Sequence, residues 1–132
     1  MNPTRKSVFP TAALVVLHVL AACSSGSDPE VICTTESRPA LGVTATDNVT
    51  KEPIYGFTGT VLRADGFSQT ATAHPTMGSL AFAFEGQEPV TGSYSVKVTK
   101  AGYQDWEVKD VIVSEDRCHV ETVSLKAEMV PL

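Results

Sequence analysis

The chain has 132 residues, of which 15 are acidic and 10 are basic, so its formal net charge is -5. This acidic balance argues against nucleic acid as a partner and against charge-driven attraction to anionic lipid headgroups. The length suits one domain, and since no catalytic or cofactor-binding motif stands out, we expect no enzyme activity, no cofactor and no metal site.

The first 22 residues have the composition of a targeting segment. A basic start at Arg5 and Lys6 is followed by an apolar run that ends at Leu20, and no acidic residue comes before Asp28. A membrane-spanning helix needs about 20 apolar residues, which is more than this interrupted run provides. We therefore predict a cleaved signal peptide over residues 1–22.

The run ends in Leu20, Ala21, Ala22 and Cys23, which together resemble the lipobox of bacterial lipoproteins. In that family the Cys thiol takes a diacylglyceryl group, the chain is cut before the Cys, and the new amino group is acylated. The resemblance implies that Cys23 is lipidated, begins the mature protein and attaches it to the membrane. Each buried methylene contributes about 0.8 kcal/mol, so two or three acyl chains make a stable anchor. The alternative is a secreted soluble protein in which Cys23 is free or disulfide-bonded.

Residues 23–32 are predicted to form the lipidated end and a flexible tether, because small polar residues follow Cys23. Ser24, directly after the Cys, resembles the outer-membrane sorting signal of Gram-negative lipoproteins. The expected location is therefore the cell envelope, lipid-anchored, at the outer membrane if the cell has two membranes. Cleavage before Cys23 removes two basic residues and no acidic one, which takes the formal net charge from -5 to -7.

Cys33 and Cys118 remain, one near each end of the predicted domain over residues 33–132. In an oxidising compartment they are expected to form a disulfide. Closing a loop of about 85 residues would stabilise the fold by about 4 kcal/mol in the chain-entropy model. The alternative is two reduced, buried thiols. A catalytic thiol or a metal site is disfavoured, because only His119 lies near either cysteine in sequence.

Apolar and polar residues alternate with a period of two along most of the domain, which predicts short strands. Asp65 and Gly66 predict a two-residue hairpin loop. A phase slip in the sixth strand predicts a bulge near Lys109 and Asp110, and the last strand slips likewise. Seven strands in about 100 residues predict an all-β sandwich of the Ig-like or prealbumin-like type. In chain order the predicted strands cover Leu41–Ala45, Thr58–Ala64, Phe67–Ala73, Leu80–Phe84, Tyr94–Val98, Trp106–Val113 and Cys118–Ala127.

Two segments resemble carboxypeptidase regulatory-like domains. GVTATDNVTKEPI, Gly42 to Ile54, is similar to the opening strand and turn of that family, and GSYSVKVTKAGY, Gly92 to Tyr103, is similar to its Gly-Tyr strand and Gly-Tyr turn. The resemblance covers Ala40 to Leu125 and implies a seven-stranded, transthyretin-like sandwich without implying an activity. Bacterial lipoproteins with such a domain often carry cysteines placed like Cys33 and Cys118.

Isolated polar residues give little support to a chemical site. Asp47 is expected to cap its own turn rather than bind calcium, and His74 is expected to be solvated in a loop. His119 and Glu121 would share a strand face, but two ligands make a poor metal site. Transthyretin-like hydroxyisourate hydrolases end in Tyr-Arg-Gly-Ser, whereas this chain ends in Met-Val-Pro-Leu. Zinc carboxypeptidases need a His-x-x-Glu motif, and no His here has a Glu three residues on.

Two functional hypotheses remain. The first is a non-catalytic, membrane-tethered interaction or structural module whose edge strands or loop tips contact another envelope protein. The second is a carbohydrate- or peptidoglycan-binding module, for which Phe67, Tyr55 and Trp106 are the available aromatic side chains. This second hypothesis fails if all three rings lie in the core. Tyr94 and Tyr103 are expected to be structural.

Overall fold

The computed structural model describes residues 30–84 and 86–132, in which Val31–Leu132 forms one unit. The predicted signal peptide, Cys23 and the tether up to residue 29 lie outside the described residues. Within the described residues, no helix is long and apolar enough to cross a membrane. The strands are β1 (Leu41–Asp47), β2 (Thr58–Arg63), β3 (Ser68–Thr72), β4 (Ser79–Phe82), β5 (Gly92–Thr99), β6 (Trp106–Val113) and β7 (Val123–Met129).

The seven strands form two packed sheets, which confirms the predicted all-β sandwich. One sheet has the order β4-β1-β7 and the other has the order β3-β2-β5-β6. β1 and β7 run parallel, and the other paired strands are antiparallel. Alternate residues of each inner face meet in one core, where the largest fully buried side chains are Tyr94, Phe57, Phe82, Leu41 and Met129.

The predicted bulge in β6 is confirmed. Ser95 of β5 faces two residues of β6, Lys109 and Asp110, because the pairing shifts there by one residue. Asp110 takes a φ of 57°. The extra residue keeps Val111 and Val113 on the inner face, where both are buried.

The hairpin between β2 and β3 is longer than the predicted two-residue loop. The N–H of Arg63 donates to the carbonyl of Phe67 at 2.8 Å, and the N–H of Gly66 donates to the carbonyl of Arg63 at 3.0 Å. The loop therefore consists of Ala64, Asp65 and Gly66. Gly66 has a φ of 97°, as the last position of such a three-residue loop requires.

The prediction that the last strand starts at Cys118 is wrong, because β7 begins at Val123. Asp116 Oδ1 accepts hydrogen bonds from the N–H groups of Cys118 and His119, both at 2.7 Å. These bonds close a local turn, which competes with strand pairing. Residues 118–122 accordingly form a loop with a single bridge between Glu115 and Val120.

β4 also ends earlier than predicted, at Phe82. Phe84 has a φ of 56°, which takes the chain out of the extended conformation. Its side chain remains 2% exposed and stacks on Tyr94, with ring centroids 4.9 Å apart. The alternation predicted for this segment therefore identified a buried side chain correctly and its backbone conformation wrongly.

Candidate functional site

The strand registers place the loops at two ends of the sandwich. We call one end the distal pole; it comprises loops 48–57, 73–78 and 100–105 and the C-terminal residues 130–132. The other end, the disulfide pole, comprises segment 33–40 and loops 64–67, 86–91 and 114–122. The polypeptide therefore enters the sandwich at the disulfide pole.

The entering segment is bound covalently to the disulfide pole. Cys33 and Cys118 form a disulfide with a Cα–Cα distance of 5.2 Å, which confirms the predicted pairing. His119 Nε2 lies 3.1 Å from both the hydroxyl and the carbonyl oxygen of Thr34. The N–H groups of Cys118 and His119 hold the pKa of Asp116 below its usual value. These contacts fix the position at which the preceding chain leaves the domain.

Asp47 caps the turn after β1, as predicted. Its Oδ1 accepts hydrogen bonds from the N–H groups of Val49 at 2.7 Å and Thr50 at 2.9 Å. Its Oδ2 accepts a hydrogen bond from the Tyr103 hydroxyl at 2.9 Å. The N–H groups of Thr50 and Val49, together with that hydroxyl, lower the pKa of Asp47, and the carboxylate in turn raises the pKa of Tyr103. Both carboxylate oxygens of Asp47 therefore accept hydrogen bonds from within the domain, as expected of a structural cap rather than a ligand site.

Arg63 makes a cluster that the sequence analysis missed. Its side chain is only 10% exposed, and its guanidinium binds Asp65, with an Nη2 to Oδ2 distance of 2.7 Å. It also donates to the carbonyl of Pro89 and lies 5.1 Å from the centre of the Phe67 ring. The Asp65 carboxylate and the Tyr94 hydroxyl raise the pKa of Arg63, which remains charged. The cluster holds loop 86–91 against the β2–β3 hairpin.

The three aromatic side chains considered for carbohydrate binding do not share one surface. Tyr55 is 45% exposed at the distal pole. Trp106 starts β6 opposite Val98, and its partly buried ring packs against the core. Phe67 packs against the core at the disulfide pole, with its ring edge-to-face on Phe84. A sugar-stacking platform built from all three rings is therefore ruled out by their positions.

The two described histidines, His74 and His119, lie in separate loops and form no metal-binding group. Residues 30–84 and 86–132 contain no group of three or more His, Cys, Asp or Glu that could hold a metal. His119 is held by Thr34, while Glu121 accepts from the Ser114 hydroxyl at 2.5 Å. His74 lies in an exposed loop with its Nδ1 2.9 Å from the Thr76 hydroxyl. The prediction that His119 and Glu121 share a strand face is wrong, because both lie in loop 114–122.

Exposed apolar side chains concentrate at the distal pole. Among the described residues, nine large hydrophobic side chains are exposed, and five of them lie there. These five come from three different stretches of the pole, and they are Val49, Tyr55, Met77, Val130 and Leu132. Gly78 brings two of the loops together, since a Cβ placed on it would lie 3.5 Å from the Tyr55 ring. The pole is the best candidate for a contact surface, because exposed apolar groups favour association when they are grouped.

Comparisons with known proteins identify no family for the chain. No family profile and no curated protein matches the chain. The solved structures that resemble the chain include the C-terminal fragment of the pilus adhesin SpaC from Lactobacillus rhamnosus GG, which matches 73% of this chain with 20% sequence identity and a TM-score of 0.45. The match spans 46% of that fragment.

Proposed function

We propose that the chain is a non-catalytic lipoprotein of the cell envelope, anchored through Cys23, whose carboxypeptidase regulatory-like sandwich contacts another envelope protein. The lipobox-like Leu20 to Cys23 supports the anchor. The sandwich fold, and the hydrogen bond that joins the two segments resembling the family, Asp47 to Tyr103, support the domain type.

The observation that carries the proposal is the opposition of the two poles. The disulfide between Cys33 and Cys118 fixes the entering chain at one end of the sandwich. The exposed side chains of Tyr55, Met77 and Val49 lie at the other end. A domain tethered through residues before Cys33 would thus present the exposed apolar side chains of the distal pole away from the point where the tether attaches.

Photo-crosslinking in native membranes tests this proposal. A photoreactive amino acid replaces Met77, which is 58% exposed at the distal pole, and the matched control replaces Ile112, which is 62% exposed on the outer face of β6. We expect one defined protein adduct from position 77 and none from position 112. The identified partner, once purified, should bind the parent chain and bind Tyr55→Ala more weakly, with Ile112→Ala unchanged.

Three outcomes would contradict the proposal. Equal adducts at both positions would mean that the distal pole has no special role. A glycan adduct at position 77 with no protein would favour the carbohydrate-binding alternative. If the protein recovered from the membrane fraction carried no acyl groups, the lipid anchor would be refuted, whatever the photo-crosslinking result.

A further inference from the structure

Strand β3 differs from the other three edge strands of the sandwich. β6 carries Glu107, Lys109 and a bulge, and β7 carries Lys126 and Glu128. β4 has only four residues. Charges, bulges and short length are the features by which proteins prevent pairing at a sheet edge. β3, with the sequence Ser-Gln-Thr-Ala-Thr, has no charge, no proline and no bulge.

The unpaired backbone groups of β3 can be located from its pairing with β2. Arg63 donates to Phe67, and Ala73 donates to Phe57, so these are hydrogen-bonded pairs of the antiparallel ladder. Bonded residues alternate along such a ladder. The N–H and C=O groups of Ser68, Thr70 and Thr72 therefore point away from β2, toward the free edge.

We infer that a second copy of this chain adds to β3, with the two β3 strands antiparallel about a two-fold axis at Thr70. In this register Thr70 faces Thr70 of the second copy, and Ser68 faces its Thr72. Gln69 faces Ala71, so the whole pairing brings no like charges together. The result is a continuous eight-stranded sheet, built from one self-complementary contact on both copies.

The side-chain chemistry of this pairing already occurs within the domain. The hydroxyl oxygens of Thr60 and Thr70 are 2.9 Å apart across β2 and β3, and those of Thr58 and Thr72 are 3.1 Å apart. Cross-strand Thr pairs stabilise antiparallel sheets. With the second copy added, four threonines follow one another across the sheet: Thr60 and Thr70 of one copy, then Thr70 and Thr60 of the other.

The inner side of β3 has room for an added strand. A depression of about 440 Å³ lies between the edges of the two sheets. It is lined on one side by Phe67 and Gln69 and on the other by Ala81 and Ala83. The small alanine side chains leave the edge accessible. This inference holds whether or not the chain carries a lipid anchor.

Cysteine crosslinking in native membranes tests the register directly. Paired residues in an antiparallel ladder have Cα atoms about 5.5 Å apart, which is within disulfide range. The full-length variant Thr70→Cys is oxidised mildly beside the matched edge variant Lys126→Cys on β7 and the parent chain. We expect a disulfide dimer about tenfold more abundant for Thr70→Cys than for Lys126→Cys, because paired thiols have a high effective concentration.

A second, separate variant, Thr70→Pro in the parent chain, tests the dimer without an introduced cysteine. Proline removes the edge N–H of residue 70 and leaves the backbone hydrogen bonds between β2 and β3 in place, while the side-chain contact to Thr60 is lost. Sedimentation should therefore show the parent dimer lost and the monomer folded. No excess dimer for Thr70→Cys, or an unchanged dimer for Thr70→Pro, would overturn the inference. An adduct of Thr70→Cys with a different protein would also overturn it. A disulfide dimer of the parent chain through Cys23 would instead contradict lipidation of Cys23. Failure of the proposed lipid anchor can thus be distinguished from failure of the β3 pairing.

Discussion

The Tyr103 hydroxyl donates a hydrogen bond to Asp47 Oδ2 at 2.9 Å and so joins the turn after β1 to the loop between β5 and β6. The two residues are 56 positions apart in sequence. Asp47 ends β1 of the three-stranded sheet, and Tyr103 lies in a loop of the four-stranded sheet. Gly102, with a φ of 87°, makes the reversal that brings Tyr103 back over the pole. The contact therefore locks the distal pole, where the proposed partner surface lies.

Stability should fall with acid in a way that depends on Asp47. Its folded-state pKa lies below the ordinary value of 3.8, so its contribution is complete above the unfolded pKa and is lost as the pH falls through the folded pKa. Asp47→Asn should flatten the fall in the free energy of unfolding between about pH 5 and pH 2. Tyr103→Phe, which removes one of three hydrogen bonds, should give an intermediate slope. Urea titrations at several pH values measure this, and parallel profiles for Asp47→Asn and the parent would refute it.

Removal of the disulfide should cost much of the domain's stability. Cys33 and Cys118 close a loop with a sequence separation of 85. The double variant Cys33→Ser with Cys118→Ser should unfold with about 4 kcal/mol less free energy in the chain-entropy model. Reduction of the parent chain should give a similar loss, which serves as the control for the substitutions. A loss below about 1 kcal/mol would mean that the unfolded chain is not restrained by this bond.

Two strand glycines should respond oppositely to alanine. A Cβ on Gly59 would lie 2.9 Å from Leu80 Cδ1 and 3.3 Å from the Phe82 ring, whereas a Cβ on Gly42 would meet nothing within 4 Å. Gly59→Ala should therefore lower the free energy of unfolding by about 1 kcal/mol, the low end for overpacking, because the closest atom is the end of a flexible side chain. Gly42→Ala should be neutral or stabilising, because it reduces the entropy of the unfolded chain. Equal effects in thermal unfolding would show that the sheets can separate at Gly59 without cost.

Local sequence patterns predicted the features that depend on side-chain alternation. The bulge at Lys109 and Asp110 was predictable because the apolar phase changes there, and the cap at Asp47 because carboxylates commonly accept nearby N–H groups. The start of β7 could not be predicted, since the turn at Asp116 and a strand from Cys118 are both compatible with the local pattern.

The missed cluster at Arg63 shows a different limit. The inward orientation of the Arg63 side chain could be predicted, because Gly59, Val61 and Arg63 share the inward phase of β2. Its partners were not, since Pro89 is 26 positions away and Tyr94 is 31 positions away. The two poles were equally hidden, because they follow from strand registers that a single sequence does not specify.

Intact mass of the protein purified from native membranes, with and without reduction and alkylation, tests the central claim most directly. A chain that begins at Cys23, carries two or three acyl groups and alkylates at Cys33 and Cys118 only after reduction is the predicted result. An unlipidated chain that retains residues before Cys23, or begins elsewhere, would contradict the proposed anchored module.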